Sequence, residues 1–212
     1  MSAKSGFTMT EVLLALTLLA GLMTAMSQFV FSVTESWTRS QERLAFSRHT
    51  RAVANHLDQM IRTAATAARA SNVKEGAMGV KETRLTREGT TDLWCFDLPA
   101  ADRLLADAPP EVQVALIWRR EEGLMLCWKS RLEPDFVDGR SREVRVSSFV
   151  SAMTYEYRDQ ETGRWSAEAT PKKDAKGRFL APSRLRLQFE RGGQKTVEWI
   201  NLSDTREGVP AY

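Results

Sequence analysis

The chain has 212 residues, enough for one globular domain and an appendage, since domains usually take ~100–200 residues. Hydrophobic residues make up 42% and charged residues 27%, which excludes a disordered or collagen-like chain. Lys+Arg 30 against Asp+Glu 27 leaves only +3, too even a balance for a dedicated nucleic-acid binder with a concentrated basic face.

The apolar residues are front-loaded. From Val12 to Val33 there are 22 positions without a charge (33 − 12 + 1), bounded below by Glu11. About 20 apolar residues in a helix match the ~30 Å hydrocarbon core of a bilayer. Thr17, Gly21, Thr24, Ser27, Gln28 and Ser32 interrupt the run, and residues of this kind let helices approach one another closely. A secretory signal peptide has a shorter apolar core, of ~7–15 residues, and a small-residue cleavage site after it. Neither that reading nor a plain single-pass anchor accounts for Glu11 at the lip of the run.

The helical pattern continues beyond Val33. Trp37 suits an interfacial aromatic where a helix leaves a bilayer. Phe46, Val53, Leu57, Met60, Ile61, Ala64 and Ala68 then share one helical face, with Arg48, Arg51, Asn55, Asp58 and Arg62 opposite. No Pro or Gly lies between Leu22 and Gly76, so the pattern predicts one helix from about Thr8 to about Ala70.

After Gly76 the period changes from 3.6 to 2. Short strands are predicted at Leu93–Leu98, Val112–Trp118, Leu124–Trp128, Val144–Val146, Met153–Arg158, Arg184–Glu190 and Thr196–Trp199. Glu121-Glu122-Gly123 and Arg191-Gly192-Gly193-Gln194 read as hairpin turns. The fold class expected is α+β, with the long helix covering one face of an antiparallel sheet. Ala100–Pro110 and Ala167–Pro182 read as irregular, the second as a mobile basic loop with Lys172, Lys173, Lys176 and Arg178.

The amino terminus carries a resemblance. Lys4-Ser5-Gly6-Phe7-Thr8-Met9-Thr10-Glu11-Val12-Leu13-Leu14-Ala15-Leu16 resembles the leader and first helix of type IV pilins and type II secretion pseudopilins. The resemblance implies cleavage after Gly6 by a prepilin peptidase, N-methylation of the new amino-terminal Phe7, and a subunit-assembly role for Glu11, the fifth mature residue (11 − 7 + 1). It also implies that the Glu11 carboxylate of one subunit meets the Phe7 ammonium of a neighbour, offsetting the cost of a carboxylate near hydrocarbon. From Phe149 through Met153–Asp159, Gly163-Arg164-Trp165, Pro182 and Leu185–Leu187, the chain is most similar to J-type minor pseudopilins. The organisation expected is a leader at 1–6, a transmembrane and assembly helix at 7–33, its periplasmic continuation at 34–70, and an antiparallel β head at 71–212. The resemblance places the chain in the bacterial inner membrane with a periplasmic head. Its implied partners are other pseudopilins or pilins, a prepilin peptidase and N-methyltransferase, and an inner-membrane assembly platform.

Cys95 and Cys127 are the only cysteines. In a periplasmic head a disulfide is permitted, and closing 32 positions (127 − 95) would contribute about 3–4 kcal/mol in the chain-entropy picture. Two separate core thiols are the alternative, and the spacing leaves both open. His49 and His56 lie seven apart on one helix face without a third ligand, a poor metal site. Glu133, Asp135, Asp138 and Gly139 depart from regular calcium-loop spacing. No P-loop, Gly-x-Ser-x-Gly, Cys-x-x-Cys or His-Glu-x-x-His occurs, so no enzyme activity and no cofactor is expected.

The function expected is that of a minor pseudopilin that initiates or caps a periplasmic pseudopilus for protein export. The alternative is a minor pilin of a type IV pilus, for DNA uptake or adhesion, with Lys172–Arg178, Arg184 and Arg186 as its support. Nucleic acid is not among the partners the leading reading implies.

Overall fold

In the computed structural model the described residues are 8–70, 78–85, 89–99, 111–133, 142–159 and 161–202. One helix, α1 (Met9–Ala70), precedes nine strands: β1 (Met78–Leu85), β2 (Gly89–Leu98), β3 (Val112–Arg119), β4 (Gly123–Ser130), β5 (Arg142–Ser147), β6 (Val150–Arg158), β7 (Trp165–Glu168), β8 (Arg184–Arg191) and β9 (Gln194–Asn201). The fold is α+β, with α1 at the start and within a few residues of its expected ends. The chain divides into two compact units, 1–46 and 47–212, and each is described by itself.

In the second unit the strands form two antiparallel sheets, where a single sheet was expected. One has five strands in the order β1-β2-β3-β4-β5, a meander; the other has four in the order β7-β6-β8-β9. The chain crosses from one to the other at Ser148-Phe149, between β5 and β6. Trp118 on β3 fastens the crossing by donating its indole N–H to the Val150 carbonyl at 2.9 Å. A second tie is the ion pair of Lys173 with Asp92 on β2, at 3.1 Å. Asp92 stands directly opposite Glu82 on β1, so Lys173 offsets a like-charge cross-strand pair.

The five-stranded sheet is covered on both faces in its middle. β4 is buried from Gly123 to Trp128 and on through Lys129, which is why its sequence is a continuous apolar run and not an alternation. On one face Leu93, Cys95, Ala115, Ile117, Met125 and Cys127 form a core cluster. At one end Arg119 makes a bidentate pair with Glu143 on β5, at 2.8 and 3.0 Å, and also reaches Glu122.

In the four-stranded sheet β8 alternates cleanly. Leu185, Leu187 and Phe189 of β8 are buried, as are Met153, Tyr155 and Tyr157 of β6 and Ile200 of β9. Within this unit the helical residues Val53, Ala54, Leu57, Met60, Ile61 and Ala64 are buried and Arg48, Arg51, Asn55 and Arg62 are exposed, which is the amphipathic division read from the 3.6 period. Two polar contacts hold the helix here. His49 Nε2 is 2.8 Å from Ser147 Oγ on β5, and the buried Thr50 hydroxyl lies 3.5 Å from a Glu198 carboxylate oxygen on β9.

Two strands had no counterpart in the sequence reading, β1 and β7. The basic loop is also more ordered than expected. Lys173 bridges Phe179, the Lys172 N–H donates to the Tyr157 hydroxyl at 2.9 Å, and Asp174 Oδ1 accepts from the N–H groups of Lys176 and Arg178. These contacts make it a closed excursion pinned to β6.

Candidate functional site at the start of the helix

Thr8 and Glu11 open α1 as a reciprocal cap. The Thr8 N–H donates to Glu11 Oε2 at 2.9 Å, and the Glu11 N–H points to Thr8 Oγ1 at 3.4 Å. The Thr8 hydroxyl also donates to Glu11 Oε2, at 2.9 Å. The arrangement follows from Thr-x-x-Glu before an apolar run, a spacing that satisfies two helix-terminal N–H groups at once. It places a carboxylate in the first turn, where the partial positive charge of the helix end favours it. Thr8, three residues before Glu11 in the sequence, is the local partner that the expected subunit-assembly role of Glu11 does not include. Gly6 and Phe7, the residues of the expected cleavage, lie outside the described residues.

Above the cap the first unit is a helix with apolar side chains on every side. Leu13, Leu14, Leu16, Leu18, Leu22, Met23, Met26, Phe29, Val30 and Phe31 are all exposed. A water-soluble surface helix would show one apolar stripe; an all-round apolar helix requires an apolar surrounding. It is long and apolar enough to cross a membrane. Its threonines bond back to the helix, as Thr38, Thr63 and Thr66 do further along. Thr17, Thr24 and Thr34 donate their hydroxyls to the carbonyls of Leu14, Ala20 and Val30 at 2.8–2.9 Å. The first ion pair of the helix, Arg39 with Glu35, follows only beyond Val33, and Trp37 is exposed beside it.

The other candidate residues fall elsewhere. Cys95 pairs across the strands with Ala115, and Ala115 pairs with Cys127, so a whole strand separates the two cysteines. Two strand spacings of ~4.8 Å put their Cα atoms ~9–10 Å apart, beyond the ~7 Å that a disulfide spans. Both are buried thiols with no disulfide between them, and of the two alternatives left open the bonded one is not realised. Burial pushes the Cys95 thiol above its ordinary range, which makes it a core residue and not a nucleophile. Among the described residues no group of His, Cys, Asp and Glu is placed to hold a metal ion. His49 is occupied instead by Ser147 and by an edge-on contact with the Phe149 ring, centroid to centroid 5.0 Å. Burial, and then the nearby Arg191 guanidinium, hold its imidazole below the ordinary range. Asp135, Asp138 and Gly139 lie outside the described residues; the Glu133 carboxylate accepts from the Ser130 N–H at 3.2 Å.

Of the six basic side chains Lys172, Lys173, Lys176, Arg178, Arg184 and Arg186, four are in ion pairs. Lys172 meets Glu168, Lys173 meets Asp92, Arg178 meets Asp174, and Arg184 meets Glu156. Around these four pairs, acidic and basic side chains alternate.

No family model matches the chain, and no characterised protein matches its sequence. The reading of its function therefore stands on the residues and their geometry.

Proposed function

We propose that the chain is a minor pseudopilin of a type II secretion-like system, anchored in the bacterial inner membrane by 7–33 with its β head in the periplasm. The observation that carries the reading is the capped start of α1. A carboxylate is fixed in the first helical turn, four residues after a Gly-Phe junction and immediately before 22 uncharged positions. A carboxylate at that depth is costly unless partnered. The Thr8 cap supplies two hydrogen bonds to the Glu11 carboxylate within the subunit. Lone pairs left on Glu11 are then available to a neighbouring subunit's amine, so helices that stack in register are favoured over one alone. Apolar side chains all round 12–33 support the same role, because a helix in a fibre has neighbours on several sides.

The experiment is expression of the full chain in cells with and without a prepilin peptidase, followed by mass spectrometry of its amino-terminal peptide. Loss of residues 1–6 and methylation of Phe7, only where the peptidase is present, is expected. An intact amino terminus in both strains refutes the reading. Glu11→Lys, processed normally, is expected to abolish co-purification with other fibre subunits, and unchanged co-purification refutes the charge pairing.

A further inference from the structure

The outward face of the four-stranded sheet holds side chains that a merely solvated surface has no use for. Trp165 on β7 and Trp199 on β9 are 45% and 50% exposed. Strand alternation puts them on the same face as Glu156, Arg184 and Arg186, opposite the buried Leu185 and Leu187. The Arg184 guanidinium lies between the two indoles, 3.8 Å from the Trp165 ring centroid and 5.5 Å from that of Trp199. Its Nε donates to the Glu156 carboxylate, and Glu156 is only 6% exposed. Arg184 is thus held in place from below and from the sides, with its terminal N–H groups in excess of the one contact to Glu156.

Next to it, Arg186 stands opposite Thr154 on one side and Trp199 on the other. Its Nε and the Thr154 hydroxyl oxygen are both buried without a hydrogen-bond partner. Buried polar groups in folded proteins are nearly always paired, so this pair marks a place where polar partners are missing. Arg158, opposite Trp165 on this same face, makes three arginines against one carboxylate, which leaves the face positive.

We propose that this face docks an acidic, extended segment of a partner protein, with carboxylates taken by Arg186 and Arg184 and apolar side chains laid on Trp165 and Trp199. Tryptophan and arginine are the residue types that dominate binding energy at protein interfaces, and a preordered pair loses little freedom on binding. The guanidinium stacked on Trp165 occupies a ring face that a sugar would need. Three arginines, one of them paired with Glu156, are fewer than the run of cations that follows a phosphate backbone. The proposal does not depend on the fibre reading and stands or falls separately from it.

The test uses the full chain in its native membranes, with photoreactive benzoylphenylalanine placed at Trp165, at Trp199, and at Leu132, which is 94% exposed and outside this sheet. The result expected is crosslinking from 165 and 199 to a protein peptide rich in Asp and Glu, and none of that adduct from 132. Arg186→Glu is expected to reduce the adduct at 199 at least tenfold, and Lys in place of an acid in the mapped peptide to restore it. Should Arg186→Glu lower the melting temperature, Arg186→Gln is measured in its place and a several-fold loss is expected. Adducts only to a neutral or basic peptide, to polysaccharide or to nucleic acid overturn the proposal. So does the absence of any adduct at 165 and 199, or a yield indifferent to both Arg186 variants.

Discussion

Gly123 opens β4 with φ +81°, and a Cβ added there would sit 2.2 Å from the Ser147 carbonyl oxygen and 2.8 Å from the Ser148 Cα. Both neighbours are backbone, so neither yields by a rotamer change. Gly123→Ala therefore meets two costs. The left-handed conformation costs a side chain about 1–2 kcal/mol. Overpacking against an unyielding neighbour adds about 1–3 kcal/mol. Ser147 is also the residue that holds His49, so a displaced Ser147 loosens an anchor of α1. Gly163 isolates the first cost, because its φ is +67° and nothing lies within 4 Å of an added Cβ. Thermal unfolding of the full chain in detergent micelles, followed by far-ultraviolet circular dichroism, reads the difference. For a chain of this size about 1 kcal/mol lowers the melting temperature by roughly 2–4 °C. Gly163→Ala is expected to lose about 2–8 °C, and Gly123→Ala a further amount of about 2–12 °C from the close approach. Equal losses in the two variants would show that the close approach at Ser147 is not there, and the argument would fail.

Two further outcomes follow from the head. Because His49 is held below its ordinary value of 6.5, the unfolded chain binds a proton that the folded chain refuses. Stability then declines as pH falls through 6.5 towards the lowered folded value, and is fully present above 6.5. Urea midpoints measured between about pH 5 and pH 8 should show that slope, and His49→Gln should flatten it. For the cysteines, iodoacetamide should label neither thiol in the folded protein and both in urea, and dithiothreitol should leave the melting temperature unchanged. A native mass short by two hydrogens would contradict the strand register that separates them.

The helix was legible because its signal is long and uninterrupted. The buried set from Phe46 to Ala64 keeps one period, and no Gly or Pro breaks the chain between Leu22 and Gly76. The central strands were legible for a different reason, being short apolar runs ended by turn residues. β1 was not, since Met78–Leu85 mixes Gly, Lys, Glu and Arg and buries little; an edge strand paired on one side needs no apolar alternation. β7 has four residues, too few for a period to show. The division into two sheets turns on the Ser148-Phe149 crossing, where the decisive contact is the Trp118 indole to a backbone carbonyl 32 residues away. No local pattern encodes such a contact. At the helix start the acid was recognised but its cap was not, although Thr8 stands three residues before it. Trp165 and Trp199 lie 34 positions apart, and only the pairing of β7, β6, β8 and β9 brings them to one face around Arg184.

The threonines of the apolar helix bear on how it would meet neighbours in the proposed fibre. Thr17, Thr24 and Thr34 each spend their single donor on their own backbone, so lipid or another helix meets mainly methyl groups there. A surface of that kind is discriminating by contour and permissive by chemistry. At these three positions a neighbouring helix that fits the relief of small and large side chains would need to supply no hydrogen bond across the gap. In the proposed fibre, polar selection among similar helices would then fall to Ser27, Gln28, Ser32 and the two ends of the stretch, and the threonine positions would supply adhesion common to them all.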